Sequence, residues 1–262
     1  MATTSIEDSG SPFILTRAHT SNDFDSIVAL EFKTFTDPHL REIFMGPDTP
    51  DGHAYLSSFY QKTLHTNASD VWVKVEEKKT GKVVGASNWR VHMGSVPKHE
   101  LAEEDLGWGW LECDEEKLNK VKGVITGIMG ARKRLFTEPY CREFIYLFLC
   151  SLNHSWLFED VLLMMRLAEL HICFTDPDYQ RRGIGSMMLQ WGSDLADQLF
   201  LPSWVEASPA GNFLYRKFGY KDIKVNESSE MQGSTMRREA RVLSIEGGQQ
   251  SSVGRLQKHS AF

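Results

Sequence analysis

The feature that most constrains this chain is an unbroken succession of strand, glycine loop and helix between residues 167 and 199. Residues 167–174, Leu-Ala-Glu-Leu-His-Ile-Cys-Phe, carry extended character, and Thr175-Asp176-Pro177-Asp178-Tyr179 forms the turn that leaves the strand. Gln180-Arg181-Arg182-Gly183-Ile184-Gly185-Ser186 follows. From Met188 the apolar residues Leu189, Trp191, Leu195, Ala196 and Leu199 keep helical spacing, so the glycines stand where a strand becomes a helix. Such a helix start offers unpaired N–H groups and the positive end of the helix dipole to an anion. Gly183 and Gly185 let a phosphate approach the main chain closely, and Arg181 and Arg182 add attraction for it. Two glycines in six residues also fit a plain strand-to-helix turn, so the sequence that follows decides the reading.

After the helix, 204–208 reads as another strand, Pro209-Ala210-Gly211-Asn212 as a turn and 213–218 as a short helix ended by Gly219-Tyr220. The two ordered motifs, Gln-x-x-Gly-x-Gly after one strand and Ala-Ser-Pro-Ala-Gly-Asn-x-Leu-Tyr-Arg-Lys-Phe-Gly-Tyr after the next, resemble the GNAT family of acetyl-CoA-dependent N-acetyltransferases. The resemblance is strongest over 167–223, and over 13–91 it rests on the order of elements. It implies an α/β (α+β) fold: a mixed, mostly antiparallel central β-sheet flanked by helices, with a splayed strand pair at the acetyl-CoA site. Acetyl-CoA is the implied cosubstrate, with no metal. The backbone of Cys173, Phe174 and Thr175 would pair with its pantetheine arm. The loop Gln180, Arg181, Arg182, Gly183, Ile184, Gly185 and Ser186 would hold its pyrophosphate, and Asn212 completes the implied cofactor contacts.

Transfer to an amine requires a base for the nucleophile and an acid for the departing thiolate. Tyr215 matches the tyrosine that this family often uses as the acid, although a ring packed under the cofactor would leave the same signature. Glu169 resembles in position the general-base glutamate of the histone acetyltransferase branch, and its competing reading is a solvated strand end. Period-two alternation puts His171 on the same face as Glu169, and Glu206 on the next strand is a third choice of base. The implied partner is an amine acceptor, either a small molecule or a peptide or protein.

Upstream, residues 13–17 read as a first strand, Ser21-Asn22-Asp23 as a helix start, and 53–65 as a second helix. Residues 71–75 and 82–87 flank a Lys79-Thr80-Gly81 turn as a hairpin. Residues 121–136 suit a helix. The domain is expected over 13–225, with loose residues 1–12 and a mostly flexible tail over 226–262. About 75 residues separate the hairpin from the strand at 167, beyond ordinary loop lengths, so 92–166 reads as an atypical insertion. Its apolar run 144–150 is too short for a membrane span, which needs about 20 residues.

Composition excludes several classes. At 262 residues, with 41% hydrophobic and 24% charged residues, the chain suits a globular domain. A formal net charge of −6 argues against a nucleic-acid-coating protein. Cys113, Cys141, Cys150 and Cys173 have neither metal-ligand nor disulfide-framework spacing, and the first residues lack an apolar leader, so cytosol or nucleus is expected. Acidic residues between Glu103 and Glu116 could attract a cationic amine or could simply be solvated. A non-catalytic acyl-CoA sensor or interaction module that kept the loop but lost the chemistry is the competing class.

Overall fold

The computed structural model describes residues 10–93, 111, 114–123, 126, 167–226 and 233–241. Strand β1 (Phe13–Arg17) leads into α1 (Ser21–Thr34). The helix is started by Thr20, one residue before the expected position: its hydroxyl accepts from the Asp23 N–H while the Asp23 carboxylate accepts from the Thr20 N–H, a reciprocal capping box. A short α2 (Pro38–Phe44), absent from the sequence reading, precedes α3 (Pro50–Thr66), whose first turn uses Pro50 and a Thr49 cap. The hairpin is β2 (Asp70–Glu77) and β3 (Val83–His92). Next come β4 (Leu167–Thr175), a single 3₁₀ turn at Pro177–Tyr179, α4 (Ile184–Gln198), β5 (Ser203–Ala207), α5 (Asn212–Lys217), β6 (Lys221–Asn226) and β7 (Gly233–Arg238).

The seven strands form one sheet in the order β1-β2-β3-β4-β5-β7-β6. Among the described residues only β4 and β5 run parallel; every other neighbouring pair is antiparallel. Alternation sorts the apolar residues onto two faces. Val73, Val75, Val84, Trp89, Leu170 and Val205 pack with Ile184, Met188 and Leu189 of α4. Trp72, Ala86 and Phe174 pack with Phe24, Ile27 and Leu30 of α1, with Tyr60 of α3 beside them. Gly192 sets how closely α4 lies on its face, since a Cβ there would stand 2.0 Å from the Trp89 ring. In the other layer Glu31 is wholly buried and accepts from the Tyr60 hydroxyl at 3.0 Å, and burial pushes its carboxyl up to about 8.

One expectation is narrowed. The chain beyond 225 is not all tail, because β7 lies inside the sheet between β5 and β6, with Met236 fully buried. Apolar periodicity could not signal it: Met236 is the only apolar side chain in Gly-Ser-Thr-Met-Arg-Arg. The expected helix over 121–136 falls mostly outside the described residues, and what is described there is helical over 115–123. The apolar run at 144–150 also lies outside them. Among the described residues no helix is long and apolar enough to cross a membrane.

Candidate active site

The sheet opens at the middle of β4. Against β3 the strand is paired along its full length, from His92↔Leu167 to Gly85↔Thr175. Against β5 it is paired only through Ala168, Glu169 and Leu170. Beyond Leu170↔Val205 the two parallel strands no longer pair, so among the described residues no strand pairs with 171–175 on that side, and this is where Cys173, Phe174 and Thr175 were expected to meet an extended ligand. An edge of open N–H and C=O groups is a template for a partner that can pair with it.

The register also slips on the β3 side. Asn88 pairs with Ile172 and Trp89 with Leu170, which leaves His171 as the extra residue of a bulge. Strict alternation between Glu169 and His171 therefore fails, and Ile172 and Phe174 take the Glu169 face instead. The bulge still brings the two polar groups near each other: His171 Nδ1 lies 3.9 Å from Glu169 Oε1, with Glu169 buried and the imidazole 38% exposed. Trp204 is the β5 partner of Glu169, and alternation returns exposed Glu206 to that same face. Glu169 and Glu206 thus share one face where β4 and β5 part, with the His171 ring beside Glu169.

Tyr215 stands on the other side. It joins the α4-face cluster with Leu170, Val205 and half-buried Cys173, and meets Tyr220 edge-on at 5.9 Å. Its ring covers Gly211, where a Cβ would come within 2.9 Å of it. Burial, with smaller contributions from Cys173 and Tyr220, holds its phenol well above the ordinary range, and burial pushes the Cys173 thiol up to about 12. Both groups keep their protons at neutral pH.

The glycine loop has the geometry of an anion cradle. Arg181 and Gly183 both have positive φ, 64° and 89°, and Gly183 caps α4 without any side-chain hydrogen bond. Alternating left-handed residues turn successive N–H groups to one side, and the first helical bond is Met187 N–H to Gly183 O. Arg181, Arg182 and Gly183 are exposed, whereas the Ile184 side chain is buried against Gly85, so only its main chain faces the loop. Gly185 lets α5 close on α4, since a Cβ there would lie 2.9 Å from Leu214 Cδ2. Asn212 donates to Ser234 Oγ at 3.3 Å, which ties the start of α5 to β7.

Behind the loop stand residues that sequence reasoning did not single out. Asp176 is fully buried and pairs with Lys33 at 2.6 Å and Lys82 at 2.8 Å. The three are up to 143 positions apart, so the only local signal was the Asp-Pro-Asp turn itself. A cavity also runs along α4 from Ser186 to Asp197, lined further by Lys217 and Arg241, and neither Cys173, Tyr215 nor Glu169 reaches it. Among the described residues no group of three or more His, Cys, Asp or Glu side chains is gathered for a metal ion.

Comparison with known proteins agrees with this geometry. The sequence profile of the acetyltransferase (GNAT) domain matches residues 149–222. A protein named "Probable acyltransferase SID5" from Ajellomyces capsulatus is 34% identical over 44 residues, 17% of this chain and 32% of that protein, so the match spans about a third of the relative's length. Among solved structures, a histone acetyltransferase HPA2 and related acetyltransferase from Corynebacterium glutamicum superposes with a TM-score of 0.51 at 15% identity, covering 88% of this chain and 98% of that one. An agmatine N-acetyltransferase gives 0.52 at 12% identity, covering 87% and 98%. Arylalkylamine N-acetyltransferase 2 from Aedes aegypti gives 0.51 at 14% identity, covering 88% and 100%. At these identities the likeness is one of fold: an open, mostly antiparallel sheet with helices on both faces.

Proposed function

We propose that this chain, a member of the GNAT acetyltransferase family, transfers an acetyl group from acetyl-CoA to a primary amine by direct attack in a ternary complex. The observation that carries the reading is the parting of β4 from β5 beside a helix start that no side chain caps and that left-handed Arg181 and Gly183 lead into. Residues 171–175 would pair with the pantetheine arm along the open edge, and the main chain of 180–186 with Arg181 and Arg182 would hold the diphosphate. Bound acetyl-CoA supplies an acyl carbon activated as a thioester.

The chain's own groups divide the remaining work between the two faces of the parted strands. On the α1 face, Glu169, with His171 and Glu206 as the alternative bases, takes a proton from the acceptor's ammonium, and the neutral amine so formed attacks the thioester carbon. On the α4 face, Tyr215, protonated before the reaction, gives its proton to the departing thiolate as the C–S bond breaks, and the proton released by the newly acylated nitrogen restores the phenol. Cys173, kept as a thiol by burial, is a poor nucleophile, which favours direct transfer over an acyl-enzyme. The acceptor is a small amine or an amine of a peptide or protein, and agmatine and arylalkylamines are the first to screen.

Calorimetric titration with acetyl-CoA tests the site. The unsubstituted protein should bind; Gly183→Trp, which places a bulky side chain at φ 89°, should lose binding by at least about a hundredfold. Tyr215→Phe should bind normally and turn over about tenfold to a hundredfold more slowly. Binding without turnover across the amine panel would favour the acyl-CoA sensor, and no binding at all would overturn the reading.

A further inference from the structure

The base of the glycine loop is held by a carboxylate that simple electrostatics would exclude from a diphosphate site. Asp176 immediately follows β4, is fully buried, and uses its main chain and both carboxylate oxygens. Its N–H donates to Val84 O at 2.9 Å and its carbonyl accepts from the Tyr179 N–H at 2.8 Å. Oδ1 accepts from the Asp178 N–H at 3.0 Å and from Lys33 Nζ of α1 at 2.6 Å, while Oδ2 accepts from Lys82 Nζ at the start of β3 at 2.8 Å. Lys33 also reaches Asp178 at 2.5 Å. Burial by itself would raise the Asp176 carboxyl, but the two ammonium groups hold it below its ordinary value, so it is ionised.

These contacts continue into the loop. Lys82 Nζ lies 4.8 Å from the centre of the Tyr179 ring and Arg182 Cζ lies 4.9 Å from the same centre, and the Tyr179 hydroxyl donates to Glu77 at 3.3 Å. Tyr179 is therefore fixed between a lysine that Asp176 holds and an arginine of the loop. One carboxylate thus joins α1, β3 and the 3₁₀ turn, and two residues after Tyr179 the chain enters the left-handed conformation at Arg181. Left-handed conformations in a bulky residue persist only where the surroundings impose them.

We propose that Asp176 is a positioning residue for the cofactor loop: by clamping Lys33 and Lys82 to its base, it fixes Tyr179, Arg182 and the Arg181–Gly183 backbone in the shape that receives a diphosphate. This inference rests on the acetyl-CoA reading above, and it makes a prediction whose sign is opposite to the simple one. If Asp176 acted only as a negative charge near the cofactor, Asp176→Asn would tighten binding. A positioning role requires that the same change weaken it, because Asn can accept the turn's N–H but cannot hold two ammonium groups.

The experiment is calorimetric titration of the full chain with acetyl-CoA for the unsubstituted protein, Asp176→Asn, Lys82→Met and the double variant, over a range of salt concentrations. Asp176→Asn should bind about tenfold more weakly and Lys82→Met about threefold more weakly, and the double variant should lose less than the product of the two. In steady state the acetyl-CoA KM should rise in step while kcat stays within about twofold. Lys82→Met should leave the salt dependence of binding unchanged, since a positioning lysine makes no direct phosphate contact, and this holds as a test even if Asp176→Asn fails to fold. Equal or tighter binding by Asp176→Asn, or a reduced salt dependence in Lys82→Met, overturns the positioning role while leaving the cofactor site intact. No binding by the unsubstituted protein overturns both.

Discussion

Helix α4 ends in two opposite ways. Among the described residues, the two non-glycine residues with positive φ flank this one helix, Arg181 before it at 64° and Phe200 after it at 55°. At the carboxyl end the left-handed residue closes bonds. The Leu201 N–H returns to Ala196 O at 2.8 Å, and the Arg241 N–H donates to the Asp197 carboxylate at 2.7 Å. Arg238 seals the end with a two-pronged ion pair to Asp197 at 2.8 and 2.5 Å, both side chains almost wholly buried. At the amino end the left-handed residues expose N–H groups, no side chain caps the helix, and the surrounding cations are solvent-exposed. One end satisfies its polar groups internally and contributes stability. At the other, no side chain caps them.

The largest expected effect breaks the sealed end. Asp197→Ala leaves the Arg238 guanidinium buried with only the Phe218 carbonyl as a remaining described partner, and loss of one member of a buried pair costs about 3–5 kcal/mol. Urea denaturation should show that loss, while acetyl-CoA affinity of the folded fraction should change by less than about threefold. A large drop in affinity instead would mean that the two ends of α4 are coupled and that the division drawn above is wrong.

Glu31 is a buried acid whose described side-chain partner is a phenol rather than an ammonium, and this sharpens the contrast with Asp197. Its carboxyl is raised from 4.5 to about 8 in the folded protein. Between those values the unfolded chain releases the proton that the folded protein keeps, so the protein binds more protons when folded and stability falls as pH rises. The contribution is complete below about pH 4.5 and gone above about pH 8. Stability should fall by up to about 1.4 kcal/mol per pH unit within that window, and Glu31→Gln should flatten the slope in denaturation curves taken from pH 5 to pH 8. A slope unchanged by the substitution would show that Glu31 titrates normally.

How much of this could be seen beforehand depended on whether the determining contacts were local. β1, α4 and the glycine loop follow from periodicity and turn residues within a short window, and the structure has strand, loop and helix where 167–199 places them. The splay of β4 from β5 came through the family resemblance, because divergence of two strands leaves no local pattern. The His171 bulge was invisible for the same reason: it depends on register against β3, and the alternation that predicted a shared face with Glu169 assumes no slip. β7 carries one apolar side chain and owes its place to strands on both sides and to Arg238, whose partner Asp197 is 41 residues away. Lys33, Lys82 and Asp176 converge from three elements, and no spacing rule connects them.

The smallest expected effect separates the two left-handed residues themselves. An L-residue in this conformation costs roughly 1–2 kcal/mol, and glycine removes that cost while giving up some unfolded-state restriction, so either substitution should shift stability upward by no more than about 1 kcal/mol. Phe200 is 70% exposed, so Phe200→Gly forfeits little burial and should leave acetyl-CoA affinity unchanged. Arg181→Gly should gain the same small stability yet weaken binding about threefold, because it removes a loop cation and loosens the backbone that turns its N–H groups outward. Thermal midpoints and titrations on the two variants give the answer together. If both bind equally well, the strain at Arg181 serves the fold alone, as it does at Phe200; if only Arg181→Gly binds less well, the same backbone conformation is used for closure at one end of the helix and for ligand binding at the other.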